Sequence, residues 1–422
     1  MSKGFKENFE IKFINHACFQ ILGRDYSVLV DPWFTGKVFN DSWSLLRETA
    51  IDDLDLSKLR CIFISHEHPD HLNWNTLKQI RESSNNPIDI ITPTRRNNNV
   101  KEALTKLGYT CYYTPEREIN QIAPDFCFFF IKKERDSSIV FKIGEKVIFN
   151  MNDCEFTLSD LRDIKDWLDE NHIKIDFLFN QFSLAGYYGD ENQRQKLDQA
   201  MKSHIDSMML AQKILNPKVT IPFASYITFC REQNSYLNDY IVDLVDLYNK
   251  DEEQKLLIPF YLENVSLNLD RKKSLQNALK WQNLFKEQKN KVDKVPTVSK
   301  EDISDSFNHF IREVDHLSSA FNGHIFEIAL QRGSISENGE YILQIKDLDM
   351  FCKINFLDRN ISFYTIGENE ERPIAIVCSY DLNVFFKLPW GADTMNVASC
   401  FKVCDDRRWS EFILFRDSLY VK

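Results

Sequence analysis

The stretch Cys61-Ile62-Phe63-Ile64-Ser65-His66-Glu67-His68-Pro69-Asp70-His71 decides how this chain is read. An apolar run with the pattern of a buried strand ends in three imidazoles and two carboxylates within six positions. Neutral imidazole nitrogen and ionised carboxylate oxygen are ligands for Zn2+, Fe2+ or Mn2+. Crowding them together costs desolvation that a bound cation offsets. The competing reading is a solvent-exposed His-rich turn, which supplies no reason for the spacing.

That spacing states which atoms can meet. His66 and His68, two apart in an extended segment, project to one side and can share an ion. Pro69 redirects the chain, so Asp70 and His71 can face a second position, ~3.5 to 4 Å from the first if two metals bind. A helix is expected next, with Asn73 or Asn75 as its cap and Leu77 and Ile80 opening its buried stripe.

With these residues in place, the chain resembles the metallo-β-lactamase superfamily. Asn15-His16-Ala17-Cys18-Phe19 and Val28-Leu29-Val30-Asp31-Pro32-Trp33 look like that family's opening strands. The resemblance implies that Asp31 supports the metal ligands by hydrogen bonds from behind, and that the loop of His16 lies near the metal, giving His16 a catalytic role. Val147-Ile148-Phe149-Asn150-Met151-Asn152-Asp153 looks like the strand whose terminal aspartate bridges two ions, a role carried to Asp153. An ordinary Asx turn is the alternative there. The implied metal ligands are therefore His66, His68, Asp70, His71 and Asp153, and the implied fold is α/β, an αββα sandwich.

Two departures stand out. The superfamily usually supplies another His before the bridging aspartate, yet none occurs between His71 and His172; Cys127 stands near the expected place, inside an apolar run. A further His usually follows a late strand, where this chain reads Val219-Thr220-Ile221-Pro222-Phe223-Ala224-Ser225-Tyr226. That segment, with Tyr236 and Asn152-Asp153-Cys154, is similar to the lactamase-like part of CMP-N-acetylneuraminate hydroxylases. Those enzymes carry a Rieske cluster, whose Cys-x-His and Cys-x-x-His pair is not found here, so hydroxylation by this chain alone is not expected.

Composition bounds the alternatives. At 422 residues with 43% hydrophobic content and 33 Phe, the chain can fill two cores. A net charge of -11 disfavours a broad phosphate-binding face, so nucleic acid is not an expected partner. The ten cysteines include no Cys-x-x-Cys and read as reduced thiols. No signal-peptide pattern follows Met1 and no apolar stretch is long enough to span a bilayer, so a cytoplasmic protein is expected. Oligomeric state is left open.

Strand and helix patterns alternate to about residue 269, with 138–150 read as one strand-like run and 257–269 as the last strand. This predicts a metal-binding domain over 1–270 and a smaller α+β domain over 271–422 that faintly resembles a sterol-carrier domain. The charged helical stretch 271–294 reads as a solvated face. His172, His204, His309, His316 and His324 read as core or surface histidines.

The leading expectation is a metal-dependent hydrolase acting on a polar small molecule. Its divalent metal, Zn ahead of Fe or Mn, would lower the pKa of a bound water to ~7, with Asp70 orienting that water or taking its proton. The branch resemblance adds a nucleotide-sugar or another polar biosynthetic intermediate as substrate class. An iron-dependent oxygenase fed by a separate electron donor and a degenerate ligand-binding module stand as alternatives.

Overall fold

The computed structural model describes residues 9–93, 99–133, 136–320, 325–333, 335–365 and 372–418. Two large sheets face each other. The first has seven strands in the order Asn264–Val265, Phe9–Asn15, Cys18–Gly23, Ser27–Val30, Leu59–Phe63, Asp89–Pro93, Thr110–Thr114. The second has six, in the order Val219–Phe223, Phe177–Gln181, Lys146–Asn150, Asp136–Ile143, Phe126–Lys133, Asn120–Ala123.

Strand periodicity explains how apolar runs feed two cores at once. In 126–131 the even residues Phe126, Phe128 and Phe130 enter the core between the sheets, while Phe129 and Ile131 face the opposite side. In the strand before the histidines, Cys61 and Phe63 point inward, while Ile62 and Ile64 meet Leu77 and Ile80 of helix Trp74–Ser83. Asn73 caps that helix, its side chain accepting from the Thr76 N–H. Helices Leu158–Glu170 and Arg194–Leu215 cover the second sheet through Leu161, Ile164, Leu168, Ala211 and Leu215. The layers are helix, sheet, sheet, helix, the expected αββα sandwich.

Three local expectations are revised. The run 257–269 is not a strand apart from Asn264–Val265, which pairs with Ile11 and Lys12. Pro259 lacks an N–H, Leu262 takes a left-handed turn at φ 58°, and the Ile258 N–H goes to Ser274 Oγ instead of a ladder. The stretch 138–150 is a hairpin of two strands turned at Gly144, whose φ of 56° suits glycine. Helix Arg271–Gln288 buries Ser274, Asn277, Ala278 and Trp281 against the first core while Leu279 stays exposed. Asn277 Nδ2 donates to Ile258 O and Trp281 Nε1 to Pro259 O, so these polar groups are buried satisfied.

After this helix a second core forms around the five-stranded sheet Asn360–Thr365, Met350–Asn355, Glu340–Ile345, Ala375–Val377, Lys402–Val403, packed by helices including Lys300–Ala320 and Ser379–Lys387. This unit is docked on the sandwich. Val397, Ala398 and Cys400 join Trp33, Phe39, Trp43, Leu197 and Phe229 in one apolar cluster. Among the described residues no helix is long and apolar enough to cross a membrane.

Candidate metal centre

The loops that carry the candidate residues leave the sandwich at one edge. Ser27–Val30 and Leu59–Phe63 are parallel, and so are Lys146–Asn150 and Phe177–Gln181; Asp31, the hexapeptide and Asp153 all follow the carboxyl ends of such strands. Two backbone conformations hold the turns open. Asp31 has φ 39° and Asn152 has φ 56°, left-handed values that Asp and Asn tolerate best after glycine.

Asp31 is wholly buried and organises the centre from behind. Its Oδ1 accepts the Ser65 N–H at 2.8 Å; its Oδ2 accepts Ser65 Oγ–H at 2.8 Å, Asn152 Nδ2–H at 2.9 Å and His71 Nδ1–H at 3.1 Å. Ser65 has one hydroxyl proton, and a carboxylate can only accept. The contact of Ser65 Oγ with His66 Nδ1 at 3.0 Å must therefore be donated by His66. Nδ1 carries the proton in both His66 and His71, leaving the Nε2 lone pairs of both rings unused by these bonds.

His68 is held the other way round. Its Nε2 lies 2.9 Å from Asp393 Oδ2, so Nε2–H donates and Nδ1 presents the lone pair. That Nδ1 faces His66 Nε2 at 2.8 Å. Two lone pairs cannot bond to one another, and a proton or a metal cation must lie between them. The same holds at His71 Nε2, which faces Asp153 Oδ2 at 3.2 Å and Asp70 Oδ2 at 3.3 Å.

His16 differs. Its Nδ1 accepts the backbone N–H of Tyr226 at 3.2 Å, so the proton sits on Nε2 and donates to Asp70 Oδ2 at 3.2 Å. His16, Asp70 and His71 are close enough to form a three-residue metal cluster, as are His66, His68 and Asp153. The tautomer removes His16 from the donors and makes it the group that orients Asp70. The late segment where the superfamily places another His thus supplies the N–H that fixes His16.

Asp153 lies between the clusters, 3.2 Å from His71 Nε2 and 3.9 Å from His66 Nε2 through the same oxygen. Asp70 Oδ1 and Asp153 Oδ1 are buried with no hydrogen-bond partner among the described residues. Orphaned acceptors beside converging lone pairs fit a cation. Charge points the same way. Burial would raise the Asp70 pKa, but His71 and His16 hold it well below the carboxylate range. Burial would lower His71, yet Asp153, Asp70 and Asp31 raise it well above the usual imidazole value. Burial would likewise lower His68, but Asp393, with Asp70 and Asp136, pushes it up to about 9.

Two residues were missed by sequence reasoning. Asp136, at the start of its strand, places Oδ1 3.8 Å from His66 Nε2. Cys127, considered above for that place, pairs with Lys142 six positions from Lys133, whose partner is Asp136; that is roughly 20 Å along the ladder. Asp393 comes from the C-terminal unit. Neither had a sequence signal, since aspartate is common and neither sits in a motif. The centre is lopsided: His16, Asp70 and His71 side chains are at most 3% exposed, whereas Asp153, Asp136, His68 and Asp393 are 15 to 32% exposed. The other histidines lie elsewhere: His204 bonds Tyr188 OH, His309 and His316 are on an exposed helix face, His172 ends a helix, and His324 lies outside the described residues.

An αββα sandwich with this constellation defines a class, and comparison agrees with it. Residues 10–165 match the family model of the beta-lactamase superfamily domain, so the chain contains a metallo-β-lactamase superfamily domain. Among curated proteins, the cytidine monophosphate-N-acetylneuraminic acid hydroxylase of Danio rerio is 26% identical over 248 residues, 54% of this chain and 40% of that protein. The Asterias rubens hydroxylase is 42% identical over 79 residues, 18% of this chain and 12% of that protein. The matches thus span less than half the length of these relatives. Among solved structures, the diiron beta-hydroxylase CmlA from Streptomyces venezuelae aligns with a TM-score of 0.44 at 14% identity, covering 62% of this chain and 54% of that one.

Proposed function

We propose that this chain is a metal-dependent hydrolase of a polar small molecule, with a nucleotide-sugar as the favoured substrate class. The observation that carries the reading is the convergence of imidazole lone pairs and orphaned carboxylate oxygens at two adjoining positions. His66 Nε2 and His68 Nδ1, with Asp136, would hold one divalent ion; His71 Nε2 and Asp70 would hold the second, and Asp153 would be shared. Bound there, the metal supplies a water ionised near neutral pH and a polarised substrate oxygen.

The chain's own groups do the rest. His16 Nε2–H holds one oxygen of Asp70, leaving Oδ1 to orient the attacking water or take its proton. The partly exposed side, at His68, Asp136 and Asp153, is where substrate would approach. The nucleotide-sugar class rests on the names of the matched relatives, whose substrate is one.

A second reading, an iron-dependent hydroxylase supplied with two electrons by a separate donor, is favoured by the donor set. Carboxylates beside imidazoles, with positions left open, also suit Fe2+ and O2 chemistry. One experiment separates the two. Protein purified without added metal is analysed for its elements, then assayed on nucleotide-sugars, esters and phosphodiesters with and without O2. Zinc or manganese with O2-independent hydrolysis is the expected result. Redox-active iron with O2-dependent turnover would replace it by the second reading, and no bound metal after reconstitution would overturn both.

A further inference from the structure

Asp393 sits 325 residues from His68, on the first turn of helix Gly391–Ala398. A carboxylate there is favoured by the helix N-terminus, so it needs no ligand to explain its presence. What needs explaining is its aim. Asp393 Oδ2 meets His68 Nε2 at 2.9 Å, and Phe39 packs edge-on against the same ring at 5.6 Å.

The helix is clamped where it must be for this contact. A Cβ on Gly391 would lie 2.3 Å from Phe385 O, so only glycine lets the helix start this close to its predecessor. At the other end Asn234 Nδ2 donates to Ala398 O at 2.8 Å, and Val397 and Ala398 are buried against the sandwich. The helix therefore has little freedom to shift along the site.

We propose that Asp393 is a positioning residue of the metal centre, contributed by the C-terminal unit. Its carboxylate takes the Nε2–H of His68 and thereby presents Nδ1 toward the position shared with His66. The proposal rests on the reading of these histidines as metal donors. Its consequence is that the sandwich alone lacks a complete first position, and that docking of the C-terminal unit sets metal affinity there.

The test uses the full chain. Zn2+ and Fe2+ affinities are measured by competition with a chromogenic chelator for wild type, Asp393→Asn, Asp393→Ala, Asp393→Glu, Tyr380→Phe and His66→Ala, alongside the melting temperature of each metal-free protein. Asp393→Asn keeps the shape and an acceptor but loses the charge; it should weaken one equivalent of metal ~10-fold, and Asp393→Ala up to ~100-fold. The other equivalent and the metal-free melting temperature of Asp393→Asn should stay near wild type, and Asp393→Glu should recover part of the loss. Tyr380→Phe removes an interface contact to Asp41 without touching His68, so it should leave affinity unchanged. Wild-type affinity in Asp393→Asn, with His66→Ala losing an equivalent, would overturn the positioning role alone. Unchanged affinity in His66→Ala would overturn the metal reading beneath it. Equal losses in Tyr380→Phe and Asp393→Asn would assign the effect to the interface and overturn the proposal.

Discussion

Ser65 has one hydroxyl proton, which goes to Asp31, and the tautomer of His66 follows from that bond. The backbone N–H of Tyr226 does the same for His16, which then donates to Asp70. Asp70→Asn keeps the side-chain volume but removes the carboxylate charge. In metal-loaded, folded protein, turnover on whichever substrate the wild type accepts should fall ~100-fold or more, while His316→Gln on a remote helix should change little. Near-wild-type turnover in metal-loaded Asp70→Asn would reject it as the base. At this scale the hexapeptide was legible because its groups are adjacent and the local chain path alone brings them together. Asp136 was not, since one aspartate at a strand start looks like any other.

Among the elements, the strands were readable by period and the helices by cap and stripe, whereas turns were harder. The hairpin at Gly144 was hidden because only a short stretch separates the apolar runs Ile139-Val140-Phe141 and Val147-Ile148-Phe149, and the expected strand over 257–269 dissolved around Pro259. Helix Arg194–Leu215 carries a group with a pH signature. His204 is buried beside Tyr188, and burial pushes its pKa down to about 4 despite the pull of Asp153. The unfolded chain takes up this proton near pH 6.5, the folded protein only near 4. The stability due to neutral His204 is therefore complete above pH 7 and is lost as pH falls from about 6.5 toward 4, about 3 kcal/mol in all. Urea unfolding of metal-free protein at pH 7.5 and 4.5 should show a smaller pH effect in His204→Gln than in wild type. Equal effects would mean that His204 titrates normally.

In the whole molecule, the two units are joined by a wholly buried ion pair. Arg231 makes a bidentate contact with Asp381 at 2.7 and 2.8 Å, and Asn40 adds a third bond to the same carboxylate. Burial pushes the Asp381 carboxyl up, while the facing Arg231 guanidinium pulls it down. Asp381→Asn or Arg231→Met strands a buried charge or polar group and should cost ~3 to 5 kcal/mol in chemical denaturation. The double substitution Arg231→Met with Asp381→Leu should cost less than either single one. Single-variant costs under about 1 kcal/mol would show that the pair does not hold the units together. The sequence by itself determined the strands, the capped helices and the ligand-rich loop, because periodicity, capping and close spacing act within a few residues. Only the tertiary structure decided the tautomer of His16, the approach of Asp136 and the reach of Asp393 to His68. Those depend on groups as much as 210 and 325 residues apart along the chain, whose meeting is set by how sheets and units pack and leaves no mark in the local pattern.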